Sequence, residues 1–315
     1  MPTRSRHSLR FGLCCLFVDE PIRFRSATAA GVKNLPRPQQ LERFSAVCLH
    51  NARSLGEAVA ACHRLGIGAF RITSPLFPRM THPVVGYRLE DLPDADEIER
   101  ILAHVHTECK RLDIRLSFHP DQFVVLSSPH REVVDSSVRE LSYQGWLAEK
   151  VGADVITIHA GGTYGDKAGA LARLRGVVTS LPDRVRSRLA LENDDTSYTP
   201  EDLLPLCETV HIPFVYDVHH HRCNRDRLPE AEVTLRAAET WQGREPYCHL
   251  SSPKNGWGEG DPKPHADFID PSDIPPLWLG MTMTVDIEAK QKERAILRLL
   301  GNLGPGSYLP RGGPG

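Results

Sequence analysis

A chain of 315 residues is long enough to bury a large core, either in one barrel or in two ordinary domains. Its 40% hydrophobic and 25% charged residues describe an ordinary globular protein with no stretch approaching a membrane span. The balance of 38 Lys+Arg against 40 Asp+Glu excludes a global field for steering polyanions, but it leaves room for bound divalent cations and a local Arg cluster to supply positive charge.

The N-terminus sets Arg4, Arg6 and Arg10 before the apolar FGLCCLFV, imitating a signal peptide. That run is short and meets Asp19 and Glu20 without a small-residue cleavage site, so export is rejected and a cytoplasmic protein is expected. The eight cysteines lack metal-ligand spacing and read as reduced. Arg10 to Phe17 is the first strand candidate, followed by helical patterns over Pro38 to Arg53 and Ser54 to Leu65. A second strand, Gly68 to Thr73, leads into the long proline-punctuated loop SPLFPRMTHPVVGY, whose form suits a functional loop. Ala95 to Leu112 reads as a helix with Ile98, Ile101, Leu102, Val105 and Leu112 on one side, and Ile114 to Phe118 as the third strand.

A helix over Glu132 to Val151 precedes the fourth strand, Asp154 to Ile158, and a helix over Lys167 to Leu181 precedes the fifth, Arg188 to Leu191. Thr199-Pro200-Glu201 opens the next helix as an N-cap with proline in the first turn, delivering the chain to a sixth strand at Phe214, Val215 and Tyr216. Leu228 to Trp241 is helical, Pro246 to His249 is the seventh strand and Thr282 to Val285 the eighth, with a last helix through Asn302. Eight strands alternating with helices, without a composition break, predict one (β/α)8 TIM barrel over residues 1–303 and a disordered tail over 304–315.

In such a barrel every strand's C-terminal end opens on one face, so residues ending separate strands converge. Those residues are His119, His159, Glu192, Asp217, His220, His249 and Glu288, with His82 on the loop after the second strand. Carboxylates mixed with imidazoles and free of thiolates suit Mn2+, Zn2+ or Fe2+, and the acid-rich half leans toward Mn2+. Two or three ions, with Glu192 bridging from a central strand, would account for so many candidates and suit a phosphoryl displacement. His50, His63, His211 and His221 are read as capping or core residues. Arg71, Lys167, Lys254 and Lys290, by their places after strands or in loops, are candidate phosphate contacts. The loop Pro120 to Pro129 carries Phe-Val-Val-Leu, an apolar wedge suited to unstacked DNA. The rival reading is a metal-dependent sugar isomerase or epimerase on the same barrel, which the fold alone does not separate.

The motifs SFHPDQF, IHAGG followed by YGDK, LENDD, YDVHHH, HLSSPK and VDIEAK together resemble the UV damage endonuclease family, which is related in fold to endonuclease IV. The resemblance runs from RFGLCC to VDIEAKQKE. It implies a metal-dependent endonuclease that nicks damaged double-stranded DNA immediately 5′ of a UV photoproduct and leaves a 3′-hydroxyl, and a monomer is expected. It places metal ligands at His119, His159, Glu192, Asp217, His220, His249 and Glu288, with His82 as a further one. It also places an active-site residue at His265 and a lesion-probing pair at Gln122 and Phe123. The chain departs from the family at Leu13 and Phe123, where tyrosine is frequent, and at Tyr247, where some members carry a metal-proximal lysine. On the resemblance Leu13 belongs with the lesion-contacting positions, and Glu192, His265 and Tyr247 with the catalytic ones.

Overall fold

Short apolar runs rich in β-branched and aromatic residues, covered on both faces, are what a closed parallel sheet requires. The computed structural model, which describes residues 9–304, has eight of them: β1 (Leu9–Cys14), β2 (Ala69–Ile72), β3 (Arg115–Phe118), β4 (Val155–His159), β5 (Leu189–Glu192), β6 (Phe214–Asp217), β7 (Tyr247–Leu250) and β8 (Met283–Ile287). They pair in chain order and in parallel, and β8 closes on β1 through Leu9↔Met283 to Leu13↔Ile287. The expected (β/α)8 barrel is therefore the observed fold. The tail lies, apart from Gly304, outside the described residues, as do Arg4 and Arg6.

Helices wrap the outside, among them Arg37–Arg64, Ala95–Leu112, Arg131–Val151, Lys167–Ser180, Pro200–Val210, Glu230–Thr240 and Lys292–Leu303. The two helical patterns on either side of Ser54 form one continuous helix that runs through Gly56, since no Pro interrupts them there and the Ser54 hydroxyl donates sideways to the Arg23 carbonyl at 3.0 Å. Thr199 caps its helix reciprocally with Asp202, as its sequence predicts. A further short helix, Val218–Cys223, carries the histidine triplet itself and has no counterpart in the sequence reading. Six residues are too few to display a period.

β4, β5 and β6 run one residue further than their patterns suggested, so His159, Glu192 and Asp217 end strands rather than begin loops. Their backbones stay in the ladder, through His159↔Glu192 and Asp217↔His249, while their side chains turn into the barrel. Along β1 the alternation is explicit. Arg10, Gly12 and Cys14 face Glu245, Asp286 and Arg71 inside the barrel, and Leu9, Phe11 and Leu13 join the core shared with the helices. The bottom of the barrel is closed by Arg115, whose guanidinium pairs with Asp154 at 2.9 Å, donates to Thr284 at 3.0 Å and lies over the Trp241 and Tyr247 rings.

Candidate metal centre and its rim

Glu192 ends β5 fully buried, and four imidazoles from four other places in the chain close on its two carboxylate oxygens. His119 Nε2, just after β3, stands 2.8 Å from Oε2, and His159 Nε2 from β4 stands 3.7 Å from the same atom. His249 Nδ1 from β7 lies 2.9 Å from Oε1, and His220 Nδ1 from the short helix lies 3.4 Å from it. Asp217 caps that helix with one oxygen, accepting from the His220 amide at 2.8 Å, and sets the other 3.5 Å from His220 Nδ1. Two triads result, His119–Glu192–His249 and Glu192–Asp217–His220, each with its ligand atoms within 4.8 Å of one another. Glu192 is common to both, as a bridging carboxylate would be. Asp217 falls beside His220 in the second triad.

The donor set fits a divalent cation: it is carboxylate and imidazole, and buried Asp217 Oδ2 and His159 Nδ1 have no hydrogen-bond partner. Charge balance points the same way. Burial opposes ionisation of Glu192, but the surrounding imidazoles, led by His249, hold its carboxyl well below the usual range. Burial likewise opposes protonation of His220 and His249, yet Asp217 and Glu192 push the first well above the ordinary imidazole range, and Glu192 pushes the second upward. His159 goes the other way, because desolvation outweighs its distance-weakened attraction to Glu192. The same buried carboxylates that favour protonation of His220 and His249 would favour a bound cation.

Glu288, in the loop after β8, lies 3.5 Å from His249 and is held by Arg71 at 2.5 Å. Burial works against its ionisation, but Arg71 and His249 together keep its carboxyl far below the usual value. Arg71 is only 7% exposed, with its Nε 3.0 Å from Asp286 and its Nη2 donating to Cys14 Sγ. This corrects its assignment as a phosphate contact: Arg71 is a counter-charge within the pocket floor. Leu13 is corrected as well, being fully buried on the helix side of β1. Tyr247 is a third correction. Its ring is buried beneath His249, its hydroxyl donates to Asp286 Oδ1 at 2.7 Å and lies 2.9 Å from Ser117 Oγ, and burial beside Asp286 keeps it neutral, so it positions a carboxylate and does not meet a substrate.

Asp286, absent from the sequence reading, is the hub of this floor. It faces inward with Thr284 and Glu288, a period of two that was available as a signal. Gly12 pairs with it across the β1–β8 ladder, and a Cβ at position 12 would stand 2.0 Å from Asp286 Oδ1, so only glycine leaves room for that carboxylate. Asn193 was also missed. Its amide donates to the Asp217 carbonyl at 2.8 Å and its oxygen accepts from the Asp217 amide at 3.0 Å, fixing the ends of β5 and β6 together.

On the rim, His265 Nδ1 stands 3.8 Å from Glu288 and 3.3 Å from Ser251 Oγ. His82 is the sequence-named ligand that the structure does not bring against the others. Its Nδ1 accepts from the Val84 amide at 3.1 Å, and the ring lines a neighbouring cavity of about 480 Å3. Phe123 lines that same cavity, whereas Gln122 lines a second one, of about 370 Å3, shared with His159 and His220. The pair thus stands on a ridge between two clefts, with Phe123 79% exposed. The apolar wedge is narrower than its sequence suggested, because Val124 and Leu126 are buried in the core. Lys254 and Lys290 are exposed and carry no ion pair among the described residues, while Lys167 pairs with Asp202 at 2.8 Å and lies over the Tyr198 ring. His221 bridges Tyr216 and Asp226 in the core, His211 ends the helix Pro200–Val210 and His50 meets the Arg23 carbonyl, as the capping and core reading expects.

Among the described residues no helix is long and apolar enough to cross a membrane, and all eight cysteines are free. The barrel is similar in fold to endonuclease IV from Thermus thermophilus, with a TM-score of 0.55 at 17% identity over 93% of this chain and 98% of that one, and to an L-ribulose 3-epimerase at 0.52 and 14% over 82% of each. These two likenesses concern the fold alone. The crystal structure of SacUVDE superposes with a TM-score of 0.81 at 26% identity, covering 94% of this chain and 98% of the other. The UV DNA damage endonuclease of Bacillus velezensis is 35% identical over 309 residues, 93% of each chain, and that of Deinococcus radiodurans is 33% identical over 92% of this chain and 94% of its own. With residues 9–307 matching the family model described as UV-endonuclease UvdE, the chain belongs to that family.

Proposed function

We propose that this protein is a DNA repair endonuclease that nicks the backbone of damaged double-stranded DNA immediately 5′ of UV photoproducts, and leaves a 3′-hydroxyl. The observation that carries the reading is the juxtaposition of two ligand triads sharing Glu192 with a ridge whose tip is an exposed Phe123. His119, His159, Glu192, Asp217, His220, His249 and Glu288 would hold two or three divalent ions, with Mn2+ favoured by the carboxylate share and Zn2+ or Fe2+ as the alternatives. Such ions supply Lewis-acid stabilisation of a phosphoryl group in displacement.

The chain's own residues do the rest. Glu192, kept ionised by the imidazoles around it, fixes the spacing of both triads. Arg71 and Tyr247 hold Asp286 and Glu288 from below, so the carboxylates meet a reacting phosphate already oriented. His265 stands at the mouth with one ring nitrogen toward Glu288, placed to hold or pass a proton beside the scissile bond. Lys254, Lys290 and the partly compensated Lys167 take neighbouring phosphates. Phe123 enters a base step that damage has already weakened and Gln122 bonds to base edges that have lost partners, so selectivity comes from the lower cost of opening damaged DNA. A sugar isomerase or epimerase needs an enclosed pocket, and an exposed phenyl ridge between open clefts speaks against one. The protein is expected to act as a monomer in the cytoplasm.

The test is a defined duplex holding one pyrimidine dimer, incubated with purified protein and Mn2+. A single nick directly 5′ of the dimer, extendable by a polymerase from its 3′-hydroxyl, is the expected product. Equal cutting of the undamaged control, or no cutting with Mn2+, Zn2+ or Fe2+ by protein that binds those ions, overturns the reading.

A further inference from the structure

Nine large apolar side chains are exposed among the described residues, and five of them, Leu16, Val84, Phe123, Tyr164 and Trp257, stand on loops that leave the C-terminal ends of strands. Just over half of these exposed apolar side chains thus stand on loops at the end of the barrel that holds the metal centre. Phe123 follows β3 and Trp257 follows β7, and in a closed order of eight strands those two loops are four places apart, on opposite rims.

Trp257 is held unlike an ordinary surface tryptophan. Its indole N–H donates to Asp273 Oδ1 at 2.7 Å, and Asp273 is itself buried, accepting from Ser252 at 2.5 Å and pairing with Arg222 at 3.3 Å. The Arg222 guanidinium lies 5.7 Å from the indole centroid, and the His219 ring lies 5.2 Å away. His219 in turn contacts His265 at 5.2 Å, so a short row of rings connects the indole to the metal centre. The ring is therefore fixed in direction while 40% of the residue stays open to solvent. The glycines beside it, Gly256, Gly258 and Gly260, have open space where a Cβ would stand, so the loop on either side of the ring does not cover it. A large apolar ring, oriented by a buried carboxylate and left uncovered, presents contact area whose ordering entropy is already lost before a ligand arrives. The loop tip carries Glu259 and Asp261 as well as Lys254 and Lys263, so its net charge is not what would attract a polyanion.

We propose that Trp257 is a second stacking contact for DNA, facing Phe123 across the mouth, so that the duplex is gripped between two aromatic side chains on opposite rims. This rests on the reading of the protein as a DNA endonuclease. Phe123 enters the damaged step, and Trp257 lies against a base or sugar face on the far side of the scissile phosphate. The grip explains how a chain without net positive charge retains a polyanion long enough to test a lesion.

The four tryptophans make the proposal directly measurable, since Trp241 and Trp278 are buried, Trp146 is half-buried and Trp257 is the most open. Metal-loaded full-length protein is titrated with a dye-labelled lesion duplex made uncleavable at the scissile phosphate, following dye anisotropy for binding and tryptophan emission for contact. Wild type is expected to show both signals. Trp257→Phe should keep binding and lose the emission change, and Trp257→Ala should bind about tenfold or more weakly while keeping its metal stoichiometry. An anisotropy rise without any emission change in wild type, or a folded Trp257→Ala that binds as tightly as wild type, overturns the contact. A Phe variant as weak as Ala also counts against stacking, since it would trace the loss to the indole N–H anchor. Absence of any anisotropy rise with any duplex would instead sink the endonuclease reading itself.

Discussion

Glu192 is the residue on which the most atoms converge, and its removal has two separable effects. Glu192→Gln keeps the shape but deletes the charge that four imidazoles answer, so bound metal and nicking should fall together, by about a hundredfold or more for nicking. Elemental analysis after dialysis, beside single-turnover cleavage, checks this; intact metal content with lost cleavage would mean that Glu192 acts on the substrate rather than on the ions. A pH dependence follows from His220 and His249. Both are raised in the metal-free protein, so each must shed a proton before its nitrogen becomes a ligand, and metal affinity should climb as pH rises through and above the ordinary imidazole value of 6.5. Calorimetry in two buffers of different ionisation enthalpy should register proton release on binding. The linked effect on stability has the opposite course: the metal-free fold is helped fully below the unfolded imidazole value and loses that help as pH passes the raised one.

At the level of single elements, the ends of strands were legible and the turns beyond them were not. A run such as RLALENDD announces a buried strand closing on an acid, because apolar residues and an ionisable one rarely share a pattern without cause. Whether the last residue is still in the strand depends on backbone pairing with neighbours distant in sequence, as His159↔Glu192 illustrates. Asp286 was overlooked because it sits inside the strand, where an aspartate breaks the apolar expectation; its justification lies in Arg71 and Tyr247, two strands away in one direction of closure and one in the other. The β3 loop likewise concealed its division of labour, since Val124 and Leu126 look as wedge-like as Phe123 until burial separates them. Phe123→Ala should therefore leave the denaturation midpoint unchanged and lower lesion cleavage by about one to two orders of magnitude, with lesion preference shrinking in parallel. Matched assays on damaged and undamaged duplexes decide it, and a variant that retains full preference makes the loop merely structural.

For the whole molecule, the two ends of the barrel carry different duties. The C-terminal end gathers crowded ionisable groups, some with a buried polar atom that has no hydrogen-bond partner. The opposite end is a closed network in which Arg10 pairs with Glu245 at 2.8 Å and Arg115 with Asp154. Burial opposes the ionisation of Glu245, but Arg10 and Thr284 lower its pKa below the ordinary 4.5. Its contribution to stability is complete above that value and is lost as pH falls through the depressed one. Glu245→Gln should cost roughly 1–3 kcal/mol at neutral pH, flatten the acid limb of the stability curve, and leave metal content untouched. Urea denaturation from neutral pH down to about pH 3 tests all three points when paired with elemental analysis. Retention of the wild-type acid limb would show that other carboxylates govern it. Longer-range charge enters through Lys254 and Lys290: each alanine variant should lower the salt slope of DNA binding by about one unit.

The closeness of Gly12 to Asp286 constrains the history of the protein as much as its chemistry. Any side chain at position 12 collides with the carboxylate, while loss of that carboxylate alone takes one acidic partner from buried Arg71, leaving Glu288, and leaves the Tyr247 hydroxyl with Ser117. Each single substitution should therefore be harmful, and Gly12→Ala with Asp286→Ala together less harmful than the sum of the two. A double-mutant cycle on denaturation midpoints should give a coupling of about 0.5–3 kcal/mol. Two positions linked by such epistasis cannot drift separately, so lineages that carry the pair are kept on their side of a fitness valley, and the pocket floor is inherited as one unit.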